Sequence, residues 1–228
     1  KGLAIYDRQF QKNPFLRATA QNKASLLMKL GRTEEAVGLL RDPRGLTSLD
    51  LEATASFSLL ETLFKLDRRT EAATEIDDLL AWDKRPATLM RVGNLLMEQR
   101  EYAKALDLLE KATSGVRDWN YEELLTSLAK CRAKLGQAED LVKVTDQLMR
   151  SSSSADWRLQ NLQGWLSAEG FHDLAAQVIQ NRLAQQPEKT DLYFSLATAR
   201  ADTGSTSEAF AAYEAAAKAL PADRLGEL

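Results

Sequence analysis

The chain has 228 residues, of which 44% are hydrophobic and 28% charged, and its formal net charge is −3. These proportions are ordinary for a folded protein, and the acidic balance without a basic stripe argues against a nucleic-acid partner, because phosphate contacts need clustered cations. One cysteine and one histidine exclude an internal disulfide framework and a Cys/His zinc site, so we expect no metal and no cofactor.

The apolar residues predict an all-α fold. Leu and Ala dominate them, whereas Val and Ile are scarce, and Leu and Ala are the better helix formers. No apolar run approaches the roughly 18 residues that a membrane span needs, so we expect no membrane insertion of this segment.

The first segment, residues 1–14, has the pattern of the second helix of a truncated repeat. Leu3 and Tyr6 recur at helical spacing, and Pro14 ends the unit. We therefore expect a further helix upstream. Because no polar capping helix follows Pro221, we also expect adjoining domains in a longer chain.

Turn residues then follow Leu-rich segments at a nearly constant spacing. They are Gly31, Asp67, Arg100, Gly136, Gly170 and Gly204, separated by 36, 33, 36, 34 and 34 residues. A period near 34 is typical of paired-helix repeats. The sequence predicts one array over 1–228, with repeats at 15–46, 47–85, 86–118, 119–154, 155–188 and 189–228, the last including a tail.

Each predicted hairpin has small residues where its two helices would meet. These are Ala24, Gly93 and Ala197 on first helices, and Ala36, Ala72, Ala105, Ala175 and Ala209 on second helices. Larger side chains would fill the space between hairpins, each contributing about 1.5–3 kcal/mol on burial. Examples are Leu27, Leu40, Leu96, Leu109 and Tyr213. Leu60, Leu141 and Gln163 depart from the small-residue pattern, so wider helix contacts or a one-residue register shift are expected there.

The last repeat has the most complete signature, with Tyr193, Leu196, Ala197, Gly204, Ala209, Tyr213, Ala216 and Pro221. These positions resemble the W-x2-L-G-x2-Y, A-x3-F and P pattern of the tetratricopeptide repeat (TPR) family. The resemblance covers almost the whole chain. It implies a right-handed α-solenoid of stacked antiparallel helix pairs, acting as a non-catalytic scaffold that binds proteins in a concave groove.

In that family the groove is lined by fixed positions of each first helix. The candidates that result here are Phe57, Glu61, Phe64, Met90, Arg91, Asn94, Met97, Lys130, Gln160, Asn161 and Phe194. The Phe and Met residues would form an apolar strip with a polar rim, which marks interaction sites. The alternative is that some of them pack against neighbouring helices. Only Arg91 matches the residues with which chaperone-binding members hold a peptide carboxylate, so a chaperone-tail clamp is not expected.

No catalytic residues are predicted. The chain lacks a phosphate-binding glycine loop, and a Cys131/His172 dyad would have to join two different repeats. An RNA-binding helical repeat is a further alternative, opposed by groove carboxylates such as Glu61, Glu98 and Asp191. A third alternative is an enzyme subunit in which this array only positions a catalytic domain located elsewhere in a longer chain.

The chain also resembles the periplasmic TPR scaffolds of bacterial exopolysaccharide export, of the Pel, cellulose and alginate type. That resemblance implies a periplasmic location and a polysaccharide-modifying enzyme as partner. A cytoplasmic or pilus-assembly adaptor is the alternative.

Overall fold

The computed structural model describes residues 2–12, 17–41, 49–115, 120–151 and 155–219. Its secondary structure in these ranges is entirely α-helical, as predicted. The helices are α1 (Gly2–Lys12), α2 (Arg17–Lys29), α3 (Thr33–Arg41), α4 (Leu49–Lys65), α5 (Arg69–Trp82), α6 (Pro86–Glu98), α7 (Tyr102–Thr113), α8 (Asn120–Lys134), α9 (Ala138–Ser151), α10 (Ala155–Ala168), α11 (His172–Gln185), α12 (Thr190–Asp202) and α13 (Thr206–Ala219). None of these helices combines the length and hydropathy that crossing a bilayer requires.

The helices form two compact units, and the chain passes from one to the other in the turn after α6. In the first unit, Lys1–Arg100, α1 packs on α2, α2 on α3, α3 on α4, and α4 on both α5 and α6. In the second, Glu101–Leu228, each helix from α7 to α12 packs on the next, and α10 also contacts α8. Contacts between near neighbours along the chain are the layout of stacked helix pairs. The predicted repeat ends near 14, 46, 118, 154 and 221 lie outside the described residues.

All six predicted turn residues adopt the left-handed conformation, with φ between 54° and 80°. Two of them are not glycines, namely Asp67 and Arg100. At Gly31 the amide donates to the Met28 carbonyl (3.1 Å) and the next amide, of Arg32, donates to Leu27 (2.9 Å). This pair of bonds is the Schellman motif, which satisfies carbonyls at a helix C-terminus and reverses the chain. The same pair of bonds recurs after α4, α8, α10 and α12.

The predicted small residues lie in the core. All eight are buried, namely Ala24, Ala36, Ala72, Gly93, Ala105, Ala175, Ala197 and Ala209. Leu27, Leu40, Leu96 and Leu109 are buried as well. The prediction for Tyr213 is wrong, because its side chain is 44% exposed and its ring contacts Phe194 in its own hairpin, 6.0 Å between centroids.

The fifth hairpin replaces a small residue with a buried polar pair. Gln163, at the predicted small position, is 8% exposed and accepts a hydrogen bond from Arg182 Nη1 (3.0 Å). Arg182 is buried as well and donates through Nη2 to Asp156 (3.2 Å). A buried guanidinium needs such a carboxylate, since desolvation otherwise outweighs what it gains. Gln163, which departs from the repeat pattern, is thus hydrogen-bonded to a cation, Arg182, from the other helix of the hairpin.

A buried aspartate joins the hairpin of α4 and α5 to α6. Asp83 is 3% exposed and accepts hydrogen bonds from Arg85 Nη2 (2.8 Å) and Thr88 Oγ1 (2.7 Å). The Arg85 guanidinium first, and the Thr88 hydroxyl after it, lower the pKa of Asp83 to about 2. These bonds fix the start of α6, which Pro86 opens at its first helical position.

Substituting two glycines of the fifth hairpin tests the turn geometry. Gly170 has φ +80° and Gly164 is helical, and at both a Cβ would meet nothing within 4 Å. Gly170→Ala should therefore destabilise the protein by about 1 kcal/mol through backbone conformation alone. Gly164→Ala should stabilise it by about 0.5–1 kcal/mol. Urea denaturation of both variants measures this, and equal shifts of the midpoint would contradict the account.

The Asp83 network predicts a specific dependence of stability on pH. With a folded pKa of about 2 against 3.8, the ionised carboxylate stabilises the fold above pH 4, and this stabilisation is lost as the pH falls through 2. Asp83→Asn should cost about 2 kcal/mol at pH 7 and about half of that at pH 3. Urea denaturation at both pH values measures the cost, with the exposed Asp77→Asn as control. A cost for Asp83→Asn that is equal at the two pH values would refute the network's role.

Candidate functional site

A recess runs along the first helices of unit 1. Helices α2 and α4 enclose a cavity of about 510 Å³, and α4 and α6 enclose an adjoining one of about 340 Å³. Glu61, Lys65 and Arg91 line both cavities, so the two form one continuous cleft, called here the unit 1 cleft. Its further polar lining residues are Gln21, Ser25, Lys29, Ser58, Thr62, Asn94 and Glu98.

The unit 1 cleft carries an excess of positive charge. Three cations line it, Lys29, Lys65 and Arg91, against the two carboxylates of Glu61 and Glu98. The Arg91 guanidinium lies 3.9 Å from Glu61, with both side chains 51% exposed, so this pair is weak and open to exchange. Among the described residues neither lysine has a carboxylate within ion-pair distance. Two cations are therefore available to a ligand.

Arg91 is held in place by an aromatic ring. Its guanidinium carbon lies 4.0 Å from the centroid of the Phe57 ring, within the range of a cation–π contact. Phe57 itself is only 3% exposed. The stacked guanidinium also lines the cleft, and a guanidinium held in one plane favours planar recognition of a carboxylate.

The predicted apolar strip is only partly present. Phe57 and Met90 are buried, at 3% and 9% exposure, whereas Phe64 and Met97 are partly exposed. For Phe57 and Met90 the expectation of an exposed apolar surface is wrong, and packing against neighbouring helices is the arrangement found. Asn94 lines the cleft together with Glu61 and Arg91. The surface is therefore more polar and more cationic than the sequence indicated.

Polar contacts join successive first helices at one repeat's separation. In unit 1, Gln21 Nε2 donates to Ser58 Oγ (2.5 Å), linking α2 to α4. In unit 2, Arg158 Nε donates to Glu122 (2.8 Å), linking α10 to α8. Such contacts fix which turns of neighbouring first helices lie side by side, and they position the exposed side chains between them.

In unit 2 two lysines of α8 lie over the indole of Trp165 on α10. The ammonium of Lys130 is 5.3 Å from the ring centroid and that of Lys134 is 5.5 Å from it. Lys134 also pairs with Glu169 (2.5 Å) and lies 5.1 Å from the Phe171 ring. Lys130 has no carboxylate within ion-pair distance among the described residues. The predicted candidate Lys130 is thus placed on an aromatic surface that the prediction did not include.

The remaining candidates of unit 2 separate into two groups. Gln160 and Asn161 are exposed on α10, and no described residue is hydrogen-bonded to either amide. Phe194 is partly exposed and packs edge-on against Tyr213. The two amides are open to a ligand, whereas Phe194 contributes to its own hairpin.

Sequence reasoning missed Lys29, Lys65 and Trp165, although each had a signal. Lys29 and Lys65 both stand two residues before a left-handed turn residue, so they are equivalent positions of successive repeats. Trp165 follows Trp157 by eight residues and therefore shares its helix face. Periodicity of charge and aromatics, read against the turn residues, would have identified all three.

The nucleophile candidate has the environment of a core residue. Cys131 is fully buried, and its thiol donates to the Tyr102 carbonyl (3.1 Å). Burial raises the pKa of this thiol to about 11. His172 lies beside Asp202, with 3.5 Å between Nδ1 and the carboxylate. Among the described residues no group of three or more His, Cys, Asp or Glu side chains is arranged to hold a metal ion.

No protein-family profile matches the chain, and no curated protein sequence matches it. Among solved structures, the MamA protein aligns at 15% identity with a TM-score of 0.47, covering 77% of this chain and 94% of that one. The C-terminal part of a TPR repeat-containing protein from Cytophaga hutchinsonii aligns at 14% identity with a TM-score of 0.48, covering 87% and 78%. YrrB, a TPR protein with an unusual peptide-binding site, aligns at 16% identity with a TM-score of 0.35, covering 97% and 95%.

The buried thiol predicts low reactivity of the native protein. A pKa near 11 instead of 9.0 leaves about a hundredfold less thiolate at pH 8, and burial blocks the reagent besides. Cys131 should therefore react with an aromatic disulfide reagent at least about a hundredfold more slowly in the folded protein than in urea. Stopped-flow absorbance measures both rates. Fast labelling of the folded protein would show that the thiol is accessible and activated.

Proposed function

We propose that this chain is a non-catalytic scaffold of the tetratricopeptide type, which binds a segment of a partner protein in the unit 1 cleft. One observation carries the proposal: the cleft is a recess on the first helices in which two lysines have no ion-pair partner among the described residues. Each lies in the last turn of its helix, where a cation interacts favourably with the helix dipole, but no described carboxylate neutralises it. They are suited to an acidic ligand, because opposite charges steer association and fix its register.

The lining of the cleft defines the chemistry of the ligand. Arg91 presents donors in a fixed plane, Lys29 and Lys65 add mobile ammonium groups, and Asn94 offers an amide that both donates and accepts. A peptide in extended form exposes alternating backbone donors and acceptors as well as its side chains. We therefore propose an extended segment with two or more Asp or Glu residues as the partner's binding element.

Glu61 sets a limit on what enters the cleft. Its carboxylate lines both parts of the cleft, 3.9 Å from Arg91, and is half exposed, so it opposes a continuous run of negative charge. A phosphate backbone presents such a run, whereas a peptide can place an uncharged residue opposite Glu61. This arrangement favours a protein partner over the alternative of RNA.

The resemblance to exopolysaccharide export scaffolds supplies the pathway hypothesis. In it the partner is a polysaccharide-modifying enzyme and the location is periplasmic. The competing hypothesis, a cytoplasmic or pilus-assembly adaptor, uses the same cleft with another partner. Identifying the partner separates the two.

Charge reversal in the cleft tests the proposed function. Lys29→Glu/Lys65→Glu changes two exposed side chains that make no described ion pair, so the fold should persist, as circular dichroism can verify. Partners captured from the source organism's lysate would be identified by mass spectrometry, and acidic peptides from them tested by calorimetry. The double variant should weaken peptide binding about tenfold or more.

The control is Lys84→Glu/Lys218→Glu, which makes the same change in net charge on exposed lysines outside the cleft. This variant should bind like the wild type. If both double variants weaken binding equally, the effect comes from the net charge of the protein and not from the cleft. If the cleft variant binds as the wild type does, the partner binds another surface. Binding of RNA that is lost only in the cleft variant would favour the alternative.

A further inference from the structure

Unit 2 carries a second exposed surface whose chemistry differs from that of the unit 1 cleft. It consists of the exposed face of α10 and the flanking side of α8, and is called here the α8–α10 strip. Its residues are Lys130, Trp157, Gln160, Asn161, Gly164 and Trp165. The five α10 positions recur at spacings of three, one, three and one, which places them on one side of the helix.

An ion pair lies at each end of the strip. Near its start Arg158 is paired with Glu122, and near its end Lys134 is paired with Glu169. The first pair joins the starts of the two helices and the second joins their ends, so α8 and α10 run parallel. From Arg158 to Glu169 the helical rise is about 16 Å. An extended chain covers that length with about five residues.

Between these pairs the exposed α10 residues are themselves uncharged, and the Arg158 guanidinium, paired with Glu122, lies 5.7 Å from the centroid of the Trp157 ring. Trp157 is 62% exposed, which is unusual for so large an apolar side chain, and Trp165 is partly exposed. Gln160 and Asn161 each have an amide that no described residue binds. A Cβ added at Gly164 would meet nothing within 4 Å, so the helix backbone itself is open to close approach.

The strip holds one unpaired charge. Lys130 lies on the indole of Trp165, 5.3 Å from its centroid, and no described carboxylate is within ion-pair distance. The aromatic contact positions the ammonium without neutralising it. A single carboxylate of a ligand would complete the site.

We propose that the α8–α10 strip binds an extended peptide segment of about five residues, which carries apolar side chains and one Asp or Glu that pairs with Lys130. The inference rests on the proposed function, since it assigns a ligand class to a second part of the same scaffold. The two tryptophans would take the apolar side chains. The two amides match the donors and acceptors of a peptide backbone, and Gly164 lets that backbone come close. With only one available cation, the strip does not suit a phosphate backbone.

Selection from a randomised peptide library displayed on phage tests this inference. The immobilised wild-type chain would be used for selection. Binding of the recovered peptides to four single variants and to Lys29→Glu/Lys65→Glu would then be measured by fluorescence anisotropy. Gly164→Leu places a bulky side chain on the strip at a position with free space and better helix propensity, so it should fold. Gly38→Leu is its control, because Gly38 is an exposed helical glycine of α3, outside the strip, at which an added Cβ would likewise meet nothing within 4 Å.

A class of recovered peptides should combine aliphatic or aromatic residues with one acidic residue. These peptides should bind Gly164→Leu about tenfold more weakly or worse, and Gly38→Leu as well as the wild type. Lys130→Gln should remove the preference for Asp over Asn at the acidic position, whereas Lys218→Gln, on an exposed lysine of α13, should not.

Other outcomes would overturn the inference. If every recovered peptide binds Gly164→Leu as well as the wild type, the strip is not a binding site. If all peptides are instead lost on Lys29→Glu/Lys65→Glu, the proposed function stands and the strip fails. If neither the strip variants nor the cleft variant affects binding, both the strip and the proposed function fail. If the wild-type chain self-associates in analytical sedimentation and Gly164→Leu abolishes this, the strip binds a second copy of the chain instead of a peptide.

Discussion

The left-handed residue at the end of each first helix is the constraint on which the described hairpins depend. It reverses the chain within two residues and brings the second helix back along the first, while its amide and the next one satisfy carbonyls that would otherwise be orphaned. Because these residues recur at a period near 34, equivalent helix faces recur with them. Small side chains then let the paired helices approach. This repetition leaves the exposed faces of the first helices free to bind a ligand.

The two units use those faces differently. In unit 1 the face is recessed and cationic, with Arg91 stacked on a buried Phe57. In unit 2 it is aromatic, and of the cations near its rings only Lys130 has no carboxylate within ion-pair distance among the described residues. The same backbone repeat therefore presents two surfaces of different chemistry, set by side chains that the packing of the hairpins does not constrain. Two such surfaces would give the proposed scaffold its specificity, since a partner must match both shape and charge.

Much of the fold could be predicted from the sequence, because turns and close helix contacts leave local signals. The six turn residues, including the two that are not glycines, and the buried small residues were predicted correctly. The surfaces were harder. Whether Phe57 is exposed depends on where the Arg91 side chain lies, and that residue is 34 positions away. The burial of Arg182 likewise depends on Gln163 and Asp156, which no local pattern connects with it. Side chains that pair at long sequence separation carry no signal in a single sequence, whereas residues that the backbone conformation selects do.

The central claim is that partners bind the faces of the first helices and that the second helices serve packing. Hydrogen–deuterium exchange of the chain, with and without a peptide or partner selected against it, tests this claim most directly. The account predicts new protection in α2, α4 and α6, or in α8 and α10, according to the ligand, while α3, α5, α9 and α11 exchange as before. Protection confined to those second helices would contradict it.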